Sequence, residues 1–171
     1  IADGKVVLGR KGFAGHIGHM GIVANGERCG CGNRGCWEAY ASATNFTRRA
    51  IRRAAGHKSS VLGRNGKLID ARAVLEAAQA GDSLALELVE EQAMYLGTGI
   101  TSLLHLFSPE VIVMGGGMSN GFDQLHPGIV AHVQDNAMPA FREVPVVRAA
   151  LGDNSGLLGA AMMVFDDNKL S

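Results

Sequence analysis

The sequence predicts a mixed α/β domain, because segments with helical periodicity alternate with short apolar runs bounded by glycine and proline. The clearest helix extends from Asp82 or Ser83 to Phe107, and the clearest strands are 110–114 and 144–148. A length of 171 residues suits a single domain with a real core. Neither an internal repeat nor a low-complexity linker divides it.

The composition argues against several kinds of partner. Sixteen basic residues balance sixteen acidic ones, so no net charge draws the chain to nucleic acid or to a membrane surface. No apolar run approaches the ~20 residues that span a bilayer. The cysteines suit a reduced metal site and no targeting segment is visible, so we expect a cytoplasmic protein with a small-molecule ligand.

The first residues predict a β-hairpin. Asp3-Gly4 is a two-residue turn signal inside the apolar segment Ile1–Leu8. Residues 5–9 and 18–24 are predicted strands on either side of a glycine-rich loop. Because the chain opens inside a hairpin, we expect it to be a piece of a longer protein.

A helix is predicted from about Trp37 to Ala55, with Gly56 at the position expected after a helix end. Its last turns carry four arginines: Arg48, Arg49, Arg52 and Arg53. We interpret them as a solvated face that is favourable for the helix dipole. A nucleic-acid-binding role is the less favoured alternative.

Two further helices follow, each with a capping aspartate. Asp70 is expected to cap a short helix that Gly81 closes, and Asp82 or Ser83 to cap the long one. The apolar stripe of the long helix is Ala85, Val89, Ala93, Leu96, Ile100, Leu103, Leu104 and Phe107. Gly97 and Gly99 interrupt it at a cost of ~1 kcal/mol each against alanine. Close approach of another group explains them, and simple tolerance explains them equally well.

A buried strand at 110–114 runs into Gly115, Gly116 and Gly117, and a helix follows over 122–136. This order of strand, glycine turn and helix can point free backbone N–H groups at a phosphate, although many βα turns contain glycine for other reasons. A second strand at 144–148 carries Pro145 near its start. Residues 153–155 are expected to cap a last helix over 156–163.

The most informative motif holds every cysteine of the chain. Cys29, Cys31 and Cys36 follow His19 within eighteen residues. Three thiolates and one imidazole complete a tetrahedral Zn²⁺ shell, so the predicted ion is structural and not catalytic. One disulfide plus a free thiol is the alternative. The odd number of cysteines and the lack of a signal peptide argue against it.

Two segments resemble the ROK family of bacterial sugar kinases and sugar-responsive repressors. They are Gly15-His16-Ile-Gly-His19 and the run Cys29-Gly-Cys-Gly-Asn-Arg-Gly-Cys-Trp-Glu38, which matches a family motif at every fixed position. Segments 106–117 and 152–161 are also similar to family segments. The resemblance covers residue 1 to about 165. It implies an actin-like, ribonuclease-H-like ATPase architecture with an inserted zinc loop at 19–38, of which this chain is the C-terminal half.

The resemblance also implies roles for particular residues. His19 would both ligate zinc and contact the sugar, and Glu38 would accept hydrogen bonds from sugar hydroxyls. Gly115, Gly116 and Gly117 would lie beside the nucleotide, with ATP and Mg²⁺ as co-substrate and ion. Family members are commonly oligomers, so a homo-oligomer is expected.

One departure from the family pattern concerns the sugar. Where the family usually has glutamate, this chain has His16. A carboxylate only accepts hydrogen bonds, whereas a neutral imidazole accepts one and donates one. Histidine at this place is similar to bacterial N-acetylmannosamine kinases, which favours an N-acetylhexosamine substrate. The alternative is that His16 has drifted without any meaning for the substrate.

A second departure is the lack of the family's Asp-x-Gly-Gly-Thr phosphate loop and of an aspartate in a catalytic motif. Phosphoryl transfer needs a carboxylate to take the hydroxyl proton and a clamp for the phosphates. We therefore expect this half alone to be inactive, with the catalytic base upstream. The alternative is the effector-binding half of a repressor whose DNA-binding domain lies upstream; no nucleic acid would bind through this segment.

Overall fold

A computed structural model describes residues 1–64 and 68–165. Two short parallel strands and seven α-helices are found in this part of the chain: α1 Glu38–Ala41, α2 Ala43–Ala54, α3 Val61–Arg64, α4 Ala71–Gln79, α5 Ser83–Phe107, β1 Ile112–Met114, α6 Phe122–Asn136, β2 Val146–Arg148 and α7 Ser155–Phe165. Single 3₁₀ turns lie at Ile17–His19, Gly117–Gly121, Pro139–Phe141 and Gly152–Asn154. The predicted α/β class is confirmed, with helix dominating.

Helix α5 forms the centre of the core. It packs against α4 and α6 and also contacts α1 and α2. Seven of the eight predicted stripe residues are buried. Phe107 is the exception, because 67% of its surface is exposed. It is the last residue of α5, and Ser108 then turns the chain through a left-handed conformation (φ 43°).

The predicted helix caps are confirmed. The Asp70 carboxylate accepts the Ala73 N–H at 2.8 Å, and the Asp82 carboxylate accepts the Ala85 N–H at 3.0 Å. Asp82 also accepts the Val61 N–H at 2.8 Å. Burial acts to raise the pKa of Asp82, but these hydrogen bonds outweigh it and the pKa is lowered. The capping role predicted for Asp153 concerns a side chain outside the described set.

The predicted helix over 37–55 is two helices. Ser42 has an extended conformation (ψ 151°) between α1 and α2, and its hydroxyl accepts the Asn45 N–H. A serine that bonds the backbone three residues on is a strong N-cap, so the helix restarts at Ala43. The break separates α1, which begins at Glu38, from α2.

The strand predictions are correct in part. β1 and β2 pair in parallel, with Ile112 opposite Val146, but both are shorter than predicted. β1 is not buried as expected, because 58% of Val113 is exposed. Residues 5–9 and 18–24 are not strands. Ala2–Lys5 and Gly21–Cys36 form only isolated bridges, since no strand of the described chain lies alongside to build a ladder.

The two glycines in α5 are explained by close approach. A Cβ placed at Gly99 would lie 2.0 Å from the Trp37 ring, and one at Gly97 would lie 2.7 Å from the His132 Cβ. Gly99 thus lets the indole of Trp37 lie directly on the helix backbone. This contact joins the cysteine-containing loop to the central helix.

We predict that Gly99→Ala destabilises the chain by ~1–3 kcal/mol, because the added methyl overpacks the Trp37 ring. Urea unfolding, followed by the fluorescence of this single tryptophan, measures the change, and the native emission should shift as well. Gly159→Ala in α7 is the control, since a Cβ there meets nothing within 4 Å. Identical stability and emission for Gly99→Ala and the parent chain would refute the contact.

Candidate functional site

The four predicted metal-ligating residues lie together. One ligand atom from each of His19, Cys29, Cys31 and Cys36 falls within 4.8 Å of the others. His19 ends the first 3₁₀ turn, and Cys36 precedes α1 by two residues. Cys29 and Cys31 lie in the loop between them. Cys29 and Cys36 are buried, whereas His19 and Cys31 face solvent.

Backbone hydrogen bonds curl the cysteine loop. The Cys29 N–H donates to Asn33 O at 2.8 Å, and the Gly32 N–H donates to Cys29 O at 3.0 Å. Gly35 has φ 77°, and a Cβ there would lie 1.7 Å from Val23 O. Only glycine fits at such a position, so the loop cannot close in this way with a side chain there.

Two of the distances between ligand atoms match those around one tetrahedral ion. Cys29 Sγ lies 3.7 Å from His19 Nδ1, and Cys31 Sγ lies 3.7 Å from Cys36 Sγ. Metal–sulfur bonds of ~2.3 Å and metal–nitrogen bonds of ~2.0–2.1 Å at tetrahedral angles give ligand separations of about 3.6–3.8 Å. All three thiols are free, which argues against the disulfide alternative.

The electrostatic environment of the thiols also suits a bound cation. Burial, with the neighbouring thiols of Cys31 and Cys29, raises the pKa of Cys36 to about 12. A backbone hydrogen bond at Asn33 is the main cause that lowers the pKa of Cys31. Crowded thiolates repel one another, and a metal ion among them removes that repulsion and deprotonates its ligands. The residues therefore fit a bound metal.

The three predicted sugar-contacting side chains share one exposed surface next to this cluster. The rings of His16 and His19 stack with centroids 6.1 Å apart. Glu38 reaches the same place, since a Cβ on Gly18 would lie 3.4 Å from its Oε2. Two imidazoles and a carboxylate thus converge where polar hydroxyl groups can be recognised.

A backbone contact orients His16. Its Nδ1 lies 2.8 Å from Phe13 O, a carbonyl that only accepts, so Nδ1 carries the proton. In the neutral ring Nε2 is then left as an acceptor. His16 offers one acceptor to a ligand where a glutamate would offer two oxygens.

Trp37 connects the segment next to this surface to α5. Its indole N–H donates to Tyr95 O on α5 at 2.7 Å, and its backbone N–H donates to Met20 O at 2.7 Å. Trp37 stands between Cys36 and Glu38 in sequence, so the backbone that carries both residues is anchored to α5. Sequence analysis missed this role, although Gly99 and the single tryptophan were its visible signals.

The predicted phosphate turn borders a cavity with a volume of about 790 Å³. Gly117 lines this cavity, whereas Gly115 and Gly116 do not. Gly116 has φ 74°, and its carbonyl accepts the Ser119 hydroxyl at 2.7 Å. The other lining residues come from α2, from α4 and its N-cap, from the 3₁₀ turn Gly117–Gly121 and from α6: Ala43, Thr44, Thr47, Asp70, Ala71, Arg72, Leu75, Glu76, Gln79, Met118, Asn120 and Gln124. These were not predicted; Thr44 and Thr47, three residues apart on one helix face, were the available signal.

The arginines of α2 are not a simple solvated face. Arg49 is buried, with only 8% of its surface exposed, and its Nε lies 3.1 Å from a Glu91 carboxylate oxygen on α5. Arg53 pairs with Glu87 and Glu91. The interpretation as a dipole-stabilising surface was therefore wrong for Arg49, which joins α2 to α5.

A sequence model of the ROK family matches residues 1–167. The chain belongs to the ROK family. It is 37% identical over 170 residues to a glucokinase of Halalkalibacterium halodurans, covering 96% of this chain and 51% of the relative. It is 36% identical over 168 residues to the transcriptional dual regulator NagC of Escherichia coli, covering 96% and 40%.

Solved structures agree with this assignment. A ROK glucokinase from Streptomyces griseus, in complex with glucose and AMPPNP, superposes with a TM-score of 0.80 at 33% identity, over 93% of this chain and 54% of that one. A ROK transcriptional regulator superposes with a TM-score of 0.76 at 32% identity, over 85% and 37%. This ROK chain spans about half the length of the curated relatives it matches. The family includes both kinases and regulators, so membership alone does not decide the activity.

Within 1–64 and 68–165, none of the helices combines the length and apolar character that crossing a bilayer requires.

We predict that purified protein binds one metal ion per chain and that His19→Ala loses it. His16→Ala is the matched control, because that imidazole lies beside the cluster but outside the ligand set. Elemental analysis measures the metal content. Cobalt-substituted protein should show thiolate-to-metal absorption in the parent and in His16→Ala. Equal metal content in both variants would contradict the assigned ligands.

Proposed function

We propose that this chain is the sugar- and zinc-binding C-terminal half of an ATP-dependent hexose or N-acetylhexosamine kinase. The observation that carries the proposal is the double position of His19, which belongs to the metal cluster and to the exposed surface with His16 and Glu38. A structural ion at this place can keep the sugar-binding side chains in fixed positions relative to one another. The glucokinase relatives support a kinase, and the complex with glucose and AMPPNP supports a nucleotide partner.

Zinc is the metal that the donor set suits best. Thiolate and imidazole ligands in tetrahedral positions favour Zn²⁺ over Mg²⁺ or Ca²⁺, which prefer oxygen. With four protein ligands no position is open to water, so the ion shapes the loop and takes no part in phosphoryl transfer.

Sugar recognition falls to the three exposed side chains. The Glu38 carboxylate accepts hydrogen bonds from hydroxyl groups, and His16 accepts one through Nε2. N-acetylmannosamine is the preferred substrate, on the ground that His16 replaces the usual glutamate. An N-acetylhexosamine also agrees with the N-acetylglucosamine repressors among the relatives.

The cavity beside Gly117 is the candidate nucleotide pocket. Its volume of about 790 Å³ lies in the ordinary range of ligand sites. No described hydrogen bond engages the backbone N–H of Gly115 or Gly116, so both are available to a phosphate. ATP with Mg²⁺ would supply the phosphoryl group. No residue of this chain is assigned as the catalytic base, which we place in the N-terminal half together with the opposing phosphate loop.

The second candidate is the effector-binding half of a ROK repressor. The 36% identity to NagC supports it nearly as well as the glucokinase match supports a kinase. A repressor needs the sugar surface and the metal loop but not the nucleotide cavity. A phosphate loop upstream of Ile1 would mean a kinase, and a helix-turn-helix there would mean a repressor.

We also propose that the protein is a cytoplasmic homo-oligomer. Three unpaired thiols suit a reducing compartment. The apolar side chains of Leu106, Phe107, Leu157 and Met162 are exposed, which suits further contacts in an assembly.

Glu38→Gln in the full-length protein is expected to weaken sugar binding by ~1–3 kcal/mol, because the amide has one acceptor where the carboxylate has two. Titration calorimetry with N-acetylmannosamine measures the change. Glu90→Gln, at an exposed position of α5, removes the same charge and should leave the affinity unaltered. If Glu38→Gln behaves like this control, the carboxylate is only a helix-terminal charge.

The isolated chain should show no phosphorylation of N-acetylmannosamine in a coupled assay with ATP and Mg²⁺, whereas the full-length protein should. Half a cleft lacks the positioning and charge stabilisation that phosphoryl transfer requires. Turnover by the isolated chain near the common ~1–10³ s⁻¹ would mean that its own residues include the base. Sugar binding without turnover in the full-length protein would favour the repressor.

A further inference from the structure

A second, smaller cavity lies between the cysteine loop (residues 19–36), α1, α2 and α5, apart from the site described above. Its volume is about 150 Å³. The residues that line it are Glu27, Arg28, Ala39, Tyr40, Asn45, Arg48, Arg49, Arg52, Glu91 and Tyr95. We propose that this cavity is an anion site that binds the phosphate group of a small phosphorylated compound. The inference does not rest on the proposed kinase activity.

The charge of the cavity wall is unbalanced. Four arginines and only two glutamates line it, which leaves a surplus of two positive charges. The surplus is local, because the whole chain carries sixteen charges of each sign. A focused positive potential in a cleft attracts anions.

The buried arginine serves as a wall and not as a ligand. The Arg49 guanidinium donates to Tyr40 O at 3.1 Å and to Gln92 Oε1 at 2.7 Å, and it also pairs with Glu91. Both terminal nitrogens thus donate to the protein, and Nε lies 3.1 Å from the Glu91 carboxylate without making a hydrogen bond. Burial is the main cause that lowers the pKa of Arg49, and the charges of Arg52 and Arg53 lower it further.

The remaining arginines at the cavity have donors to spare. Arg48 uses one nitrogen on the neutral Asn45 Oδ1 at 3.1 Å. Arg52 uses one nitrogen on the Glu27 carboxylate at 3.2 Å. Within the described residues no carboxylate pairs with Arg28 or Arg48. Two guanidinium groups are thus without a counter-charge, and a third is only partly satisfied.

Size and chemistry together select the ligand. The cavity has about five times the ~30 Å³ that a water molecule occupies in the liquid, which admits a phosphate group but not a nucleotide. Planar guanidinium groups bind phosphate oxygens through paired N–H donors. Glu27 is a competitor in this arrangement, since its carboxylate holds the Arg52 donor that a phosphate would use.

The test is calorimetric titration of the chain with inorganic phosphate, in the absence of sugar and nucleotide. We expect saturable binding with a Kd of about 1 mM or tighter. Arg48→Gln should weaken it at least about tenfold, because a charge-assisted hydrogen bond is lost. Glu27→Gln should strengthen it by about fivefold, because the competing ion pair is removed.

Matched controls separate a site from a general charge effect. Arg142→Gln and Glu143→Gln change the same charges at exposed positions away from the cavity and should leave phosphate binding unchanged. A phosphate monoester such as glycerol 3-phosphate, titrated in parallel, shows whether the ligand carries a carbon skeleton. Tighter binding of the ester points to a metabolite, and equal binding points to free phosphate.

Three results would overturn the proposal. They are no saturable binding, equal losses for Arg48→Gln and Arg142→Gln, or equal gains for Glu27→Gln and Glu143→Gln. The gain expected for Glu27→Gln guards against misfolding, since an unfolded variant cannot bind more tightly. If phosphate binds at the glycine turn instead, neither Arg48→Gln nor Glu27→Gln changes its affinity, and that result also counts against the site.

Discussion

Three sulfur atoms and one imidazole nitrogen approach within 4.8 Å of one another between residues 19 and 36, and the candidate sugar surface depends on this clustering. The segment has almost no regular structure of its own, with one short 3₁₀ turn and isolated bridges. Three thiolates and one imidazole around a cation can replace the core that so short a loop lacks. His19 then has a fixed place, and the ring of His16 stacks against it.

The cluster holds the loop together but does not fix its orientation relative to the helices. Contacts with α5 fix that orientation. Trp37 lies on Gly99 and donates to Tyr95 O, so the residue between Cys36 and Glu38 is anchored at one point of the central helix. Gln92 donates to Ala41 O at 2.6 Å and holds the end of α1. In the proposed arrangement a bound metal would set the shape of the loop, and the contacts with α5 set its orientation.

Local chemistry made some features predictable from sequence. The caps at Asp70 and Asp82 depend on residues a few positions apart, and the ligand set with Cys29 lies within eighteen residues, so the sequence displays both directly. The break at Ser42 was missed, because alanines on both sides suggest a continuous helix and only the serine hydroxyl reveals the restart. Residues 5–9 show why a strand prediction can be wrong. Their apolar pattern is real, but a strand forms only when a partner strand pairs with it.

The cavities were beyond sequence reasoning for a related reason. The wall beside Gly117 combines α2, α4 and α6, which are far apart in the chain. The four arginines of α2 appeared equivalent, yet Arg49 is buried against α5, whereas Arg48 and Arg52 line the smaller cavity from exposed positions. Which arginine faces which neighbour depends on helix packing, and spacing along one helix does not contain that information.

Sugar affinity measured before and after metal removal tests the central claim most directly. Full-length protein would be stripped with a chelator under reducing conditions and titrated with N-acetylmannosamine, then reloaded with Zn²⁺ and titrated again. If a bound metal shapes the sugar surface, binding is lost without metal and recovered on reloading, while far-UV circular dichroism of the helical core changes little. Unaltered sugar affinity in protein shown to be metal-free would contradict it.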